Sequence, residues 1–517
     1  MKYPVILSLF LLTALMPLKG SAQAAKANPD RPNIIYILAD DMGQGDISCL
    51  NSNSAWKTPH LDQLAKSGRV FTDAHSASGV CTPSRYALLT GRYSWRGSMK
   101  SGVLHGYDPA LIENQRLTVP ALLRAQGYTT AMFGKWHLGL NWVRTGSKLE
   151  DVDYSKPFSE GPTARGFDIF FGISASLDMP PYIYLQKDRA VSVPSTRVGD
   201  SPKPKMWRAG PIGDDFRHQD VQPKLFQKSR EFLAQRHKAQ DGKPFFLYLA
   251  LASPHTPIIP TQEYEGKTQT TPYGDFVAQL DSEIGTLMAE LDRHNFTTNT
   301  LVIFTADNGF APAANLEQLR GLKHDPSLGF RGHKADLFEG GHRVPFIARW
   351  PGRIPPNSRC GQTIGHLDLL ATCADLLGVQ LPDSAGEDSV SFLPLLKGGE
   401  APSMRRKGLV HHSSNGSFAI RKDQWKLLLV PDSGGWSAPK PGQPESAGLP
   451  PFQLYDLKND PSEKTNLEKN HPELVLQLGK LLTEIINNGR STPGSAQSNI
   501  QVSNWPQTAW MKQFKIE

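Results

Sequence analysis

The chain has 517 residues, 39% of them hydrophobic and 20% charged, a balance that excludes a disordered or low-complexity chain and allows one large core with a smaller unit attached. Its formal net charge is +7 and its pI about 9.0, so its field favours anionic ligands, among them nucleic acid, acidic polysaccharide and acidic lipid. The sequence has no dense Lys/Arg run and no nucleic-acid motif, so no nucleic-acid partner is expected, and four cysteines are too few for a disulfide scaffold.

The first element is a leader. Lys2, an apolar stretch from Val5 to Met16 and the small-residue exit Ala22-Gln23-Ala24 make residues 1–24 a cleavable signal peptide. The apolar run is shorter than the roughly 20 residues that span a bilayer, and no later segment is long enough, so no membrane span is expected. Export places the mature chain in the periplasm or outside the cell.

Asn33-Ile34-Ile35-Tyr36-Ile37-Leu38-Ala39 is a nearly continuous apolar run, as in a strand covered on both faces, and it stops at Asp40-Asp41. The pattern recurs at residues 128–133, running into Gly134-Lys135-Trp136-His137, at 245–251, running into Ser253-Pro254-His255, and at 301–306, running into Asp307-Asn308-Gly309. Apolar strands that each deliver polar residues at the C-terminal end build a site at one edge of an open α/β sheet.

Helices separate these strands. Thr58-Pro59 reads as the N-cap and first turn of a helix carrying Leu61, Leu64 and Ala65 and closed by Gly68. A longer helix carries Phe276, Val277, Leu280, Ile284, Leu287, Met288 and Leu291 at helical spacing. The alternation predicts a mostly parallel sheet sandwiched by helices.

The character changes near Gly398. Short runs at 417–420, 425–430 and 452–457 predict a smaller C-terminal antiparallel sheet, with a Pro- and Gly-rich loop between Pro431 and Pro451. A helix follows Pro472, and the tail from Ser491 is polar and uninformative. The expected organisation is residues 25–398 as the catalytic domain and 399–517 as a C-terminal subdomain.

Cys81-Thr82-Pro83-Ser84-Arg85, followed by Leu88-Leu89-Thr90-Gly91-Arg92, resembles the C-x-P-x-R and T-G-R signature of the type I sulfatases. The resemblance runs through nearly the whole chain. It implies an alkaline-phosphatase-like fold and hydrolysis of sulfate esters, with Cys81 oxidised by a separate maturase before folding to formylglycine. The hydrated aldehyde would attack sulfur with one oxygen and expel sulfate by deprotonation of the other, a second step closed to a plain alcohol. Arg85 would hold the hydrate and offset the anion.

The same resemblance assigns Asp40, Asp41, Asp307 and Asn308, with residue 81, to a metal site. A hard cation such as Ca²⁺ takes carboxylate and amide oxygens. Gly134-Lys135-Trp136-His137-Leu138-Gly139 is similar to the family's G-K-W-H-L-G, making Lys135 a sulfate ligand and His137 the holder of the formylglycine oxygen. His255 matches the histidine that protonates the leaving alcohol, and Lys334 the second sulfate-binding lysine. Glu339-Gly340-Gly341-His342-Arg343-Val344-Pro345 resembles E-G-G-x-R-V-P. It reads mainly as a structural turn, with Glu339 a buried partner in preference to a catalytic acid.

The chain departs from the family around residues 166–218, where substrate choice is expected. Asp178 and His218 are the candidate sugar ligands. The texture is similar to bacterial polysaccharide sulfatases acting on sulfated galactose or N-acetylgalactosamine, which makes a sulfated carbohydrate the expected substrate. Two alternatives are a phosphodiesterase or phosphonate monoester hydrolase of the same superfamily, and a non-catalytic glycan-binding relative. Cys360 and Cys373 fit either a bridge or two buried thiols.

Overall fold

The computed structural model describes residues 31–202, 206–400 and 406–514. The predicted signal peptide, residues 1–24, lies outside the described residues.

Among the described residues the large sheet has ten strands. From one edge their order is Ser358–Cys360, Arg69–Phe71, Phe346–Arg349, Thr300–Ala306, Asn33–Ala39, Phe245–Ala250, Thr129–Lys135, Ile169–Ile173, Leu185–Gln186 and Arg189–Ala190. From Thr300–Ala306 to Ile169–Ile173 every pairing is parallel. Phe346–Arg349 and Leu185–Gln186 pair antiparallel on either side of that block.

The Asn33–Ala39 strand shows why the apolar run is unbroken. Successive side chains leave opposite faces of a strand, so Ile34, Tyr36 and Leu38 enter one hydrophobic cluster while Ile35, Ile37 and Ala39 enter another. The first cluster includes residues of the Cys81–Thr90, Val119–Ala125 and Leu369–Leu376 helices, the second residues of Pro59–Lys66, Val221–Ala239 and Pro272–Arg293. The sheet is therefore sandwiched as expected.

Helix Pro272–Arg293 begins at Thr271, whose Oγ1 accepts from the Gly274 N–H at 3.0 Å. Thr58 does not cap Pro59–Lys66 in this way. Its Oγ1 accepts from the Ser48 N–H at 2.9 Å and donates to Asp62 Oδ1 at 3.0 Å, so the hydroxyl is spent on pinning the preceding loop.

Among the described residues the C-terminal sheet has four antiparallel strands, Leu409–His412, Phe418–Lys422, Trp425–Leu428 and Gln453–Asp456, one more than the sequence suggests. Helix Pro472–Asn487 packs on it. The tail is not featureless: residues Pro506–Phe514 form a 3₁₀ helix whose Trp510 and Phe514 join the same buried cluster. Gly479 makes that contact possible, since a Cβ there would lie 2.4 Å from the Phe514 ring.

Cys360 and Cys373 are both buried and both free thiols. Burial pushes the Cys373 thiol up to about 12. Glu339 is buried and accepts from Lys426 Nζ at 2.9 Å and Arg343 at 3.2 Å, which is the structural partnership expected of it.

Candidate active site

The parallel strands end on one side of the sheet, and there the predicted residues meet. Asp40 and Asp41 follow Asn33–Ala39, Lys135 ends its strand, and Asp307 and Asn308 follow Thr300–Ala306. Cys81 is the first residue of helix Cys81–Thr90. All of these side chains are buried, Cys81 to 2% exposure.

Ion pairs knit the group together. Lys135 Nζ donates to Asp40 Oδ2 at 2.6 Å and Lys334 Nζ to Asp41 Oδ2 at 2.7 Å. Arg85 Nε donates to Asp307 Oδ2 at 2.9 Å and its Nη1 to the Lys135 carbonyl at 3.0 Å, while Nη2 lies 3.4 Å from Asp40 Oδ2. Cys81 Sγ is 3.5 Å from Asp40 Oδ1. His255 Nε2 stands 3.5 Å from Asp41 Oδ2, and Asn308 Nδ2 donates to Asp41 Oδ1 at 2.7 Å.

The electrostatics follow from burial among opposed charges. Burial raises Asp40, but Lys135, His255 and Arg85 outweigh it and hold the carboxyl well below the usual carboxylate range. Asp307 moves the other way, driven up by burial and by Asp40. Burial and Asp307 push the Cys81 thiol well above its usual range, so an unmodified Cys81 is a neutral thiol and a poor nucleophile. Burial, Lys135 and Arg85 hold His137 well below the usual imidazole range, which keeps it neutral.

Two site residues are held in the left-handed region, Asp41 at φ 62° and His137 at φ 56°. Such backbone costs of order 1–3 kcal/mol and persists where the surroundings over-determine it. His137 Nε2 donates to the Leu104 carbonyl at 2.7 Å, which fixes the tautomer and leaves Nδ1 as a buried acceptor with no partner. Asn308 Oδ1 is a second buried, unpartnered acceptor.

Three carboxylates and this orphaned amide oxygen form a hard, all-oxygen donor set. The residues present therefore fit a cation such as calcium, and Asp40, Asp41, Cys81 and His255 have candidate ligand atoms within 4.8 Å of one another.

A cavity of about 480 Å³ opens onto the group, lined by Asp41, Cys81, His137, His255 and Lys334. Asp178 also lines it. His218 does not: its ring stacks on Trp207 at 4.4 Å between centroids and meets Tyr182 and Phe216, and burial lowers it to about 4. His218 thus packs among aromatic rings outside the lining of this cavity, with its Nε2 buried and unpartnered. The cavity further includes His105, Ser176, Arg208 and Trp436, which the sequence reading did not single out. The only signal for Trp436 is an indole inside an otherwise polar, Pro- and Gly-rich loop.

Acidic residues, lysines and an N-terminal helix turn converging at the C-terminal edge of a parallel sheet define an α/β protein built to hold an oxyanion ester. The family model described as Sulfatase matches residues 32–379, and the chain belongs to that family of sulfuric ester hydrolases.

The chain is 34% identical over 502 residues to the N-acetylgalactosamine-6-O-sulfatase of Bacteroides thetaiotaomicron, covering 89% of this chain and 94% of that protein. It is 35% identical over 464 residues to human arylsulfatase A, covering 86% and 85%. A solved structure described in work on the metabolism of multiple glycosaminoglycans by Bacteroides thetaiotaomicron superposes with a TM-score of 0.78 at 32% identity, over 88% of this chain and 99% of that one. Among the described residues no helix is long and apolar enough to cross a membrane.

Proposed function

We propose that the chain is an exported, exo-acting glycan sulfatase that removes sulfate, with the 6-O position favoured, from galactose or N-acetylgalactosamine units. The observation that carries this reading is the meeting of Cys81, Lys334, His137 and His255 at one cavity, with Lys135 fully buried beside them on Asp40, the carboxylate next to the Cys81 sulfur. A relative named N-acetylgalactosamine-6-O-sulfatase over 89% of the chain supports the sugar and position.

Cys81, converted to formylglycine, supplies an oxygen nucleophile as its hydrate. At 2% exposure in the folded chain Cys81 is out of reach of another enzyme, which supports conversion by a maturase before folding is complete. Asp40, Asp41, Asp307 and Asn308 would hold Ca²⁺, which offsets sulfate charge when bound.

The remaining roles belong to the side chains already placed. Each lysine ammonium has three donors and gives one to a carboxylate, so Lys135 and Lys334 keep donors for sulfate oxygens. Arg85 positions Asp307 and Asp40. His137 Nδ1, a neutral acceptor, takes a hydroxyl proton from converted residue 81. His255 Nδ1 contacts the Thr256 carbonyl at 2.6 Å, so that nitrogen carries a proton, and the doubly protonated ring delivers its second proton from Nε2 to the departing sugar oxygen.

The leader, residues 1–24, supports a periplasmic or secreted location. The test is sulfate release from 2-, 4- and 6-O-sulfated galactose and N-acetylgalactosamine, free and at the non-reducing end of oligosaccharides. Preferential release from terminal 6-O-sulfated units is expected. Release only from internal units, or from another position, overturns the exo or 6-O assignment.

A further inference from the structure

The chemistry above leaves part of the cavity unused, and two features there point to a ligand. Asp178 is buried to 8% exposure; its Oδ2 accepts from Arg208 Nη1 at 2.6 Å, but its Oδ1 is buried without any partner. A buried carboxylate oxygen without a donor is costly unless a ligand supplies one. Ser176 Oγ, on the same segment and also lining the cavity, is likewise buried and unpartnered.

The second feature is Trp436, 47% exposed although its loop is firmly built. Its backbone N–H donates to Asp336 Oδ1 at 2.7 Å, the Ser437 N–H to the same oxygen at 3.1 Å, and the Leu337 N–H to the Ser433 carbonyl at 2.8 Å. Lys334 Nζ lies 5.9 Å from the indole centroid. A rigid, half-bare aromatic face thus stands beside the ammonium assigned to sulfate, at the mouth of the same cavity as Asp178.

An apolar ring and a lone carboxylate acceptor are complementary to a pyranose, which offers a C–H face and hydroxyl hydrogens. We propose that Trp436 and Asp178 build the subsite for the leaving sugar: the indole packs under the ring's C–H face, Asp178 Oδ1 accepts a hydroxyl hydrogen, and Arg208 positions Asp178. The inference rests on the sulfatase reading and adds the part of the substrate that is recognised besides sulfate.

The test uses converted wild type, Asp178→Asn, Trp436→Ala and Trp436→Phe. It measures kcat/KM on N-acetylgalactosamine 6-sulfate and on 4-nitrophenyl sulfate, and inhibition by inorganic sulfate. Asp178→Asn should lower the sugar kcat/KM about 10- to 100-fold, and that loss should exceed the loss on the hydroxyl-free aryl ester about tenfold or more. Trp436→Ala should raise the sugar KM far more than the sulfate inhibition constant, with Trp436→Phe restoring most of it. Sugar kinetics unmoved in both variants, or sugar turnover and sulfate inhibition weakening in parallel, overturns the proposal. So does a wild type that cleaves the aryl ester but no sugar, whereas one that cleaves neither overturns the sulfatase reading instead.

Discussion

Lys426→Met isolates the charge cluster that joins the C-terminal sheet to the segment Glu339–His342. Lys426 is fully buried and donates to Glu339 Oε1 at 2.9 Å; its Nζ also lies 2.9 Å from Glu463 Oε1 as an ion pair and 3.1 Å from His342 Nε2. Removing one partner of a buried pair costs about 3–5 kcal/mol, because the partner charge stays buried and uncompensated. Glu339 keeps Arg343 at 3.2 Å, but Glu463 loses the Lys426 ammonium, and its Oε2 is already engaged with the Glu339 N–H at 2.6 Å. For a chain of this length the unfolding entropy is about 1 kcal/mol per kelvin, so Tm should fall by about 3–5 °C.

The size of the loss depends on pH. Burial pushes Glu463 up to about 7, with Lys426 opposing and Glu339 reinforcing. Without Lys426 Glu463 rises further and Glu339, which Lys426 helps to hold well below the usual carboxylate range, moves up, so the folded variant binds more protons than folded wild type and the stability gap shrinks as pH falls. Thermal unfolding of wild type and variant from pH 8 to pH 5 should therefore show a gap that narrows toward acid. A gap below about 1 °C at pH 8, or one independent of pH, would refute the reasoning about a buried, charge-dependent joint.

Three further outcomes follow from the same geometry. His255→Gln should cut turnover of sugar sulfates about 10²- to 10⁴-fold and that of 4-nitrophenyl sulfate much less, because nitrophenolate leaves without a proton; equal losses would remove His255 from the proton step. Stripping the protein with a chelator, with loss of metal followed by elemental analysis, should lower both sulfate release and Tm, and calcium should restore both; full activity in metal-free protein would discard the four-oxygen site. His218 ordinarily titrates near 6.5 and is depressed to about 4 by burial, so the unfolded chain takes its proton first and stability is lost as pH falls from 6.5 toward 4. That contribution is about 3 kcal/mol, and His218→Phe should flatten the acid-side decline in Tm; an unchanged decline would place the acid sensitivity elsewhere.

The sandwich and the chemical core were legible because each rests on a local pattern. Buried parallel strands must be apolar on both faces, and the residue after each strand end reaches the site whatever happens elsewhere, which is how Asp40, Lys135, His255 and Asp307 could be placed. Leu409–His412 escaped notice because half of it is histidine, although His411 and His412 are buried. Trp510 and Phe514 have no periodicity to mark them and are buried against helix Pro472–Asn487 and Phe418 of the C-terminal sheet. Asp178 and His218 looked alike as polar residues in an unusual stretch. Each has one buried polar atom without a partner, and only their neighbours separate them: Asp178 lines the cavity, while His218 packs among Trp207, Tyr182 and Phe216. Trp436 became visible only when its loop folded back onto Asp336, 100 residues earlier in the chain, and Lys334.

The central claim is that Cys81 acts only after conversion. Preparations made with and without a formylglycine-generating maturase should be compared by peptide mass at residue 81 and by sulfate release, with Cys81→Ala as control. The account predicts release in proportion to the converted fraction and none from Cys81→Ala. Sulfate release from protein whose residue 81 is wholly an unmodified thiol, or from Cys81→Ala, would contradict it.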